Sequence, residues 1–389
     1  MNADTIVIVA GVRTPITKAR RGGLKDLKPD ELLAGVLSEL IRRSGQVEPN
    51  FVGDVCVGNV LQPGAGAAVA RMAMFEAGFP ESVSCHAVNR QCASGLQAVA
   101  SIAGAISSGS YDIGIAAGVE SMTHNSFVAA TPIVNWEAVK ACPGAADCLL
   151  PMGITSENVA KRFNISREVQ DAFALQSHLK AARARETGLF NEEIIAIGAC
   201  EDDGIRPDTT LAALAKLKPA FAQGGTTTAG NSSQVSDGAA AVLLARYSVA
   251  QALQLPVMAV IRSYVVTGVP PDIMGVGPAF SIPEAVRKAG LALSDIDFFE
   301  INEAFASQCQ FCVQYLGIPP EKVNPLGGAI ALGHPLGCSG VRLVVTLTHH
   351  LKRTGKRYGC VSLCVGTGMG AAMVVENIAS DEPPPRSRL

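Results

Sequence analysis

Three glycine-rich segments of this 389-residue chain carry side chains suited to covalent and acid–base chemistry. The first is NRQCASG at residues 89–95, which places Cys92 where a loop enters an apolar run. A helix N-terminus stabilises a thiolate through the helix dipole and its free N–H groups, and so lowers the pKa of the thiol. The segment therefore predicts a nucleophilic Cys92 with a lowered pKa; tight helix packing around an inert thiol is the alternative.

The second segment, GGAIALGHPLG at residues 327–337, presents His334 immediately before another apolar run. Glycines allow the backbone to approach a ligand closely, and a histidine there could deprotonate Cys92 or polarise a carbonyl group. A capping role in a turn is the alternative. A phosphate-binding loop is disfavoured, because the Lys-Ser/Thr pair that such loops require is missing.

The third segment, CVGTGMG at residues 364–370, follows a buried strand pattern. Cys364 could act there as an acid or a base, and the N–H of Gly366 could donate to an oxyanion; a structural turn with a buried thiol is the alternative. Asn302 begins the sequence NEAFA at the end of another predicted strand. A polar group where a sheet should be apolar predicts a site, with a helix cap as the alternative.

Alternating strand and helix patterns must position these groups. Apolar runs of the kind found in buried strands lie at residues 5–9, 52–60, 111–117, 297–301 and 360–365. Runs with helical apolar spacing lie at residues 31–43, 91–107, 282–289 and 337–352. Such alternation predicts an α/β protein in which helices cover both faces of the sheets.

The two ends of the chain repeat one plan. The helix–strand segment that ends at Asn59 matches the one that ends at Asn302, and an apolar helix follows each. Ser94 lies 35 residues after Asn59, and Ser339 lies 37 residues after Asn302. We therefore predict an internal duplication, with chance similarity between two buried βα units as the alternative.

This duplication predicts a domain organisation. The N-terminal half comprises residues 1–121 with 229–253, and the C-terminal half comprises residues 254–376. Between them, residues 122–228 show no strand alternation, and their helical part spans 156–185, so they are interpreted as an inserted lid or substrate-binding region. Residues 377–389 are predicted to be a flexible, Pro-rich tail.

Composition limits the class of function. The chain is 48% hydrophobic and 17% charged, which predicts a large buried core and excludes a disordered chain. A net charge of −2 gives no general attraction to nucleic acid or to an anionic membrane. No uninterrupted apolar run is long enough for a transmembrane helix. The 11 cysteines lack zinc-binding spacing and predict mostly buried thiols in a reducing compartment.

Taken in order and with their spacing, NRQCASG, NEAFA, GGAIALGHPLG and CVGTGMGAAM resemble the motifs of the thiolase family, and the resemblance covers nearly the whole chain. Other stretches, among them PMGITSENVA, GIRPDTT and TTAGNSSQVSDGAAA, look most like the peroxisomal 3-ketoacyl-CoA members. The resemblance implies a layered α-β-α-β-α fold with an inserted loop domain, and a homodimer. It also implies CoA-dependent cleavage of a 3-ketoacyl-CoA to acetyl-CoA and a shortened acyl-CoA, as in fatty acid β-oxidation. CoA would be a substrate, and neither a metal nor a redox cofactor would be needed.

The resemblance also implies a role for each residue. Cys92 would be the acylated nucleophile, His334 its activator and Cys364 the proton shuttle. Asn302 would hold a water in one oxyanion hole with His334, and the N–H groups of Cys92 and Gly366 would form the other. The inserted domain would bind CoA, and the pantetheine channel would be lined by Met152, Ala229, Ser233, Ala304 and Phe305.

The turn after Cys364 reads Gly-Thr-Gly where many biosynthetic members have Gly-Gly-Gly, and this form resembles the peroxisomal type. A second departure is that the chain between Ile197 and Gly204 is shorter than expected. This departure concerns the CoA lid or the oligomer contacts rather than the catalytic residues. Rival functions are a biosynthetic acetoacetyl-CoA thiolase, a ketoacyl-carrier-protein synthase, a non-catalytic acyl-CoA or sterol carrier, and a structural scaffold. Cys364 argues against the synthase, which would use two His, or His and Asn. The three intact reactive residues argue against the carrier and the scaffold.

The C-terminal residues Ser387-Arg388-Leu389 resemble the Ser-Lys-Leu peroxisomal address. They follow a run of three prolines, which predicts an extended and accessible end. The chain is therefore predicted to bind a peroxisomal import receptor and to reside in a peroxisome or a similar organelle, with the cytoplasm as the alternative.

Overall fold

The computed structural model describes residues 1–127 and 133–378. Its strands are β1 (Ile6–Arg13), β2 (Thr17–Lys18), β3 (Asp54–Gly58), β4 (Ser84–Val88), β5 (Ile113–Ser121), β6 (Ser236–Arg246), β7 (Ala259–Gly268), β8 (Phe298–Ile301), β9 (Tyr358–Val365) and β10 (Met369–Glu376). The helices of the N-terminal half and the insertion are α1 (Pro29–Arg43), α2 (Ala67–Glu76), α3 (Ser94–Ser107), α4 (Trp136–Ala141), α5 (Pro143–Asp147), α6 (Met152–Arg162), α7 (Arg167–Glu186) and α8 (Leu211–Ala215). The remaining helices are α9 (Tyr247–Ala252), α10 (Gly277–Lys288), α11 (Ala306–Leu316), α12 (Ala329–Leu332) and α13 (Leu336–Thr354).

The strands join in the order β4-β3-β5-β6-β1-β7-β10-β9-β8, with β2 paired to β6. The N-terminal half has two parallel pairs, since β3 runs parallel to β4 and β5, and the C-terminal half has one, between β8 and β9. Strands β6 and β10 run antiparallel to the strands beside them. The halves meet where β1 and β7 pair through only two residues of each strand. The duplicated plan predicted from the sequence is thus visible in the order of the strands.

The halves stack as five layers of helix, strand, helix, strand and helix, as predicted. Strand β6 alternates between two cores: Leu243 and Ala245 face α1 and α2, whereas Val242 and Leu244 face α3 and α13. This alternation follows from the two-residue period of a strand with both faces buried. Helices α10 and α11 cover the outer face of the C-terminal half.

Helices α3 and α13 pack against each other in the central layer. Their contact requires glycine, because a Cβ on Gly95 would lie 2.7 Å from the carbonyl oxygen of Gly337, and one on Gly340 would lie 2.2 Å from the backbone nitrogen of Leu96. The small residues after Cys92 and after His334 therefore permit two helix N-termini to meet at the centre of the molecule. This contact brings the two sequence segments together.

Three predicted helices differ in their limits from those observed, and one of them, α10, begins at Gly277 rather than at residue 282. Helix α3 begins at Ser94 rather than at residue 91, because Gln91 adopts a positive φ of 46°. The helical stretch predicted at 156–185 is two helices, α6 and α7, separated at Asn164, whose φ is 55°, with the Ser166 side chain capping α7. The predicted strand at 111–117 lies later, as β5.

The insertion contains helices and irregular backbone, and its described residues contribute no strand to the sheet. It is fastened to β1 by Arg13, whose guanidinium donates to Glu193 and Asp202 at 2.7 Å each. The predicted domain boundaries remain a prediction. Most of the predicted tail, including Ser387-Arg388-Leu389, lies outside the described residues. Within residues 1–127 and 133–378, no helix combines the length and the apolar character needed to cross a membrane.

Candidate active site

Cys92 lies two residues before the first residue of α3 and is 8% exposed. Burial raises the pKa of its thiol to about 11, and backbone hydrogen bonds involving Gly366 and Cys92 itself offset only part of this shift. The sequence-based prediction of a lowered pKa is therefore wrong. Desolvation of the charged form outweighs the stabilisation that the helix N-terminus supplies. The thiol needs a base to become a nucleophile at neutral pH.

His334 occupies the turn between α12 and α13 and is buried. The Gly333 before it has a φ of 113°, a conformation that favours glycine. Burial, together with the charge of Arg342, lowers the pKa of His334 to about 3, so the imidazole is neutral. A neutral imidazole can accept a proton only at the nitrogen that does not already carry one.

Ser339, one turn into α13, indicates which nitrogen this is. Its hydroxyl lies 2.6 Å from Nδ1 of His334 and 3.0 Å from the carbonyl oxygen of Pro335. Because that carbonyl can only accept, the hydroxyl donates to it and in turn accepts from an Nδ1–H. This assignment leaves Nε2 of His334 unprotonated, so its lone pair is the one that can act as a base.

Asn302 follows β8 directly and lies against His334, with 3.3 Å between Asn302 Nδ2 and His334 Nε2. The Asn302 backbone is fixed on both sides, since its N–H donates to Ser362 and its carbonyl accepts from Gln308. The side-chain oxygen Oδ1 is buried and has no hydrogen-bond partner among the described residues. A buried acceptor of this kind is suited to a donor supplied by water or by a ligand.

Cys364 and Gly366 come from the end of β9 and the turn that leads into β10. Burial raises the pKa of the Cys364 thiol, and its neighbour Cys92 raises it further. The two sulfurs are thus close enough to influence each other. In the turn, Thr367 has a φ of 69°, a conformation more readily adopted by glycine.

A cavity of about 560 Å³ joins these groups, and its walls include Cys92, His334 and Gly366. Cys364 lies just behind the wall, packed with Met152, Ala304 and Phe305. Of the residues predicted for the pantetheine channel, four line the cavity: Met152, Ser233, Ala304 and Phe305. Ala229 lies on an exposed turn and is not part of the wall, so its predicted role remains a prediction.

Sequence analysis missed much of the apolar wall, including Met122, Phe127, Leu150, Phe221, Val235, Met274 and Leu336. Two of these had a detectable position, since Met122 directly follows the end of β5 and Leu336 follows the His334-Pro335 pair. The role of Ser339 as the partner of His334 was also missed. The wall is apolar with a few polar groups converging on Cys92, as is usual for a small-molecule site.

Known proteins share both the sequence and this arrangement of elements. The models of the thiolase N-terminal domain and the thiolase C-terminal domain match residues 6–248 and 255–377. Rat peroxisomal 3-ketoacyl-CoA thiolase B is 60% identical to this chain, and the match covers 96% of this chain and 91% of the rat protein. The dimeric peroxisomal thiolase of Saccharomyces cerevisiae superposes with a TM-score of 0.93 at 48% identity, covering 97% of this chain and 98% of that one. Human mitochondrial 3-ketoacyl-CoA thiolase in complex with CoA gives 0.87 at 36% identity, covering 97% and 99%. The chain belongs to the thiolase family.

Proposed function

We propose that this protein is a 3-ketoacyl-CoA thiolase that cleaves its substrate with CoA through an acyl intermediate on Cys92. The observation that carries the proposal is one apolar cavity in which the Cys92 thiol, a neutral His334 and the N–H of Gly366 converge, with the Cys364 thiol behind them. The high identity to peroxisomal 3-ketoacyl-CoA thiolases supports the same reaction. The direction of that reaction in β-oxidation is cleavage.

The first half of the reaction forms the acyl enzyme. His334 Nε2 accepts the proton of Cys92, and the sulfur attacks the 3-keto carbon. The N–H groups of Cys92 and Gly366 donate to the resulting oxyanion, the kind of stabilisation that dominates acyl transfer. Because the pKa of Cys92 is about 11 and that of His334 about 3, a free ion pair is strongly disfavoured.

Collapse of this intermediate breaks the bond between carbons 2 and 3 and leaves the acyl group on Cys92. The departing acetyl-CoA enolate has its thioester oxygen near the protonated His334 and the Asn302 side chain. Cys364 then gives its proton to the enolate carbon and becomes a thiolate. These steps need no external oxidant or reductant. That no metal or redox cofactor takes part remains a prediction.

The second half releases the shortened product. The Cys364 thiolate takes the thiol proton of incoming CoA, and the CoA thiolate attacks the acyl carbon on Cys92. When the tetrahedral intermediate collapses, Cys92 leaves as a thiolate and recovers its proton from His334. All three side chains are then in their starting states.

Assembly and location follow from the relatives. The yeast relative is dimeric, which supports a homodimer for this chain. The peroxisomal relatives support a peroxisomal location, and we propose that Ser387-Arg388-Leu389 is the address read by an import receptor. Removal of those three residues from a fluorescently tagged chain should redistribute it to the cytoplasm.

Mass spectrometry of the intact protein tests the proposed reaction. Incubation with a medium-chain 3-ketoacyl-CoA should add one acyl group, mapping to the Cys92 peptide, and free CoA should remove it. Cys92→Ala should abolish the adduct, whereas Cys200→Ser, a change at an exposed thiol, should leave it intact. A folded wild-type protein that forms no adduct with any acyl-CoA would favour a non-catalytic carrier. Acylation by acetyl-CoA or acetoacetyl-CoA alone would favour the biosynthetic alternative.

A further inference from the structure

Beneath the cavity lies a buried carboxylate that takes no part in the steps above. Glu120 is the penultimate residue of β5 and is fully buried. Its Oε2 accepts from the N–H groups of Val60 at 3.0 Å and Gly337 at 2.9 Å. Its Oε1 accepts from the N–H of Leu61 at 3.1 Å and from Nδ2 of Asn59 at 3.2 Å. Four donors thus surround one carboxyl group.

These partners can only donate, which favours the charged form of Glu120. Three are backbone N–H groups, and the orientation of the Asn59 amide is fixed because its Oδ1 accepts from the N–H of Gln62 and its Nδ2 also donates to the carbonyl of Val119. A protonated carboxyl would need an acceptor that this set of partners does not provide. Burial raises the pKa of Glu120 to about 7, while the four donors favour the charged form.

The segments that donate to Glu120 are those that surround the reacting sulfur. Val60 and Leu61 follow β3 in the N-terminal half, and Gly337 lies in the first turn of α13, three residues after His334. The side chains of Leu61 and Leu336 pack with Cys92 in one apolar cluster. One carboxylate therefore joins the two halves at the point where the thiol and its base must meet.

We propose that Glu120 is a positioning residue for the reaction, whose carboxylate holds the His334 segment of the C-terminal half against the Cys92 cluster of the N-terminal half. This inference rests on the proposed function. Glu120 acts through the backbone and does not line the cavity. Displacement of reacting groups by about 1 Å is enough to lower a rate by about 10²-fold, so loss of this tie should reduce turnover in a protein that still folds.

Two substitutions and a matched control test the proposal in the full-length enzyme. Glu120→Gln keeps the shape of the side chain but removes its charge, and its amide NH2 would point at N–H groups that also donate. Glu120→Asp keeps the charge, but the shorter side chain cannot reach all four partners. Glu157→Gln is the control, because Glu157 also accepts backbone N–H groups, from Thr226 and Thr227, but lies outside the cavity wall. We expect kcat to fall about 10- to 100-fold in both Glu120 variants, with KM for CoA unchanged and with normal activity in the control.

A second measurement separates positioning from general damage. The charge of Glu120 raises the pKa of Cys92, so the pH midpoint of Cys92 alkylation by iodoacetamide should fall in Glu120→Gln and stay unchanged in Glu120→Asp. A thiol that becomes easier to ionise while turnover slows is not expected from partial unfolding. Wild-type kcat in both folded Glu120 variants would overturn the proposal, as would losses that only follow the unfolded fraction. Failure of the wild-type protein to acylate Cys92 would instead refute the proposed function.

Discussion

Replacement of Ser339 by alanine removes the hydroxyl that orients His334 and should slow turnover with little loss of substrate binding. The Ser339 hydroxyl is the acceptor for Nδ1–H of His334, 2.6 Å away and fully buried. Without this hydroxyl, the buried Nδ1–H has no hydrogen-bond partner. The imidazole then lowers its free energy by moving the proton to Nε2 or by rotating. Either change removes the unprotonated Nε2 that serves as the base in the proposed reaction.

The expected magnitude follows from the cost of one buried, unpaired donor. Such a group costs about 1–3 kcal/mol, and each 1.36 kcal/mol corresponds to a tenfold change in rate. If the penalty is relieved only by adopting the unproductive tautomer, kcat should fall between about 5- and 150-fold. KM should change little, because Ser339 does not line the cavity.

Steady-state kinetics with a medium-chain 3-ketoacyl-CoA, together with the rate of Cys92 acylation, measure this effect. Thr348→Val is the control, since the Thr348 hydroxyl is also buried in α13 but bonds only to carbonyls of its own helix, such as that of Val344. Its kcat should match that of the wild type. A folded Ser339→Ala enzyme with kcat within about twofold of wild type would refute the assignment of the Nδ1–H tautomer.

Three further predictions concern stability. Thr367→Gly should raise the free energy of unfolding by about 1 kcal/mol, because it relieves a positive φ of 69°; an unchanged or lower midpoint in urea would contradict this. Since burial lowers the folded pKa of His334 to about 3, from an ordinary 6.5, the unfolded chain binds the extra proton between these values and stability should fall as pH falls through that range. His334→Asn should remove up to about 1.4 kcal/mol per pH unit of this slope, as measured by unfolding at pH 4 to 6.5. Arg13→Met should destabilise the protein by about 3–5 kcal/mol by leaving Glu193 and Asp202 buried without their cation, and limited proteolysis should then cut the insertion first.

Local patterns predicted most of the layered fold. Strand β6 is buried on both faces along nearly its whole length and is the clearest element that sequence analysis did not delimit, because its apolar run is rich in alanine and equally compatible with a helix. The start of α3 was placed too early, since nothing in the residue type of Gln91 requires its positive φ. The break before α7 was detectable, because Asn164 and Ser166 are a typical left-handed residue and N-cap.

The sequence predicted which residues would come together, but not how deeply each of them would be buried. Motif resemblance predicted Cys92, His334 and Cys364, and glycine contacts between α3 and α13 explain how the first two come to line one cavity. The pKa of Cys92 was predicted in the wrong direction, because its desolvation comes from side chains far away in sequence, such as Leu336. The N-terminus of a helix is a local property, whereas burial is a property of the whole fold.

The duplicated halves have a consequence for how mutations should act. Asn59 and Asn302 each follow the last residue of an equivalent strand, and Glu120 and Cys364 lie two residues beyond Gly118 and Ser362, the strand partners of those last residues. In the first copy the Asn59 amide is bonded at both atoms, whereas in the second the Asn302 oxygen has no partner among the described residues. The asparagine of the first copy thus holds backbone segments together, whereas that of the second copy has an acceptor available to water or a ligand. Equivalent substitutions at the two asparagines should therefore have unequal effects: a change at Asn59 should mainly lower stability, whereas the same change at Asn302 should mainly lower turnover.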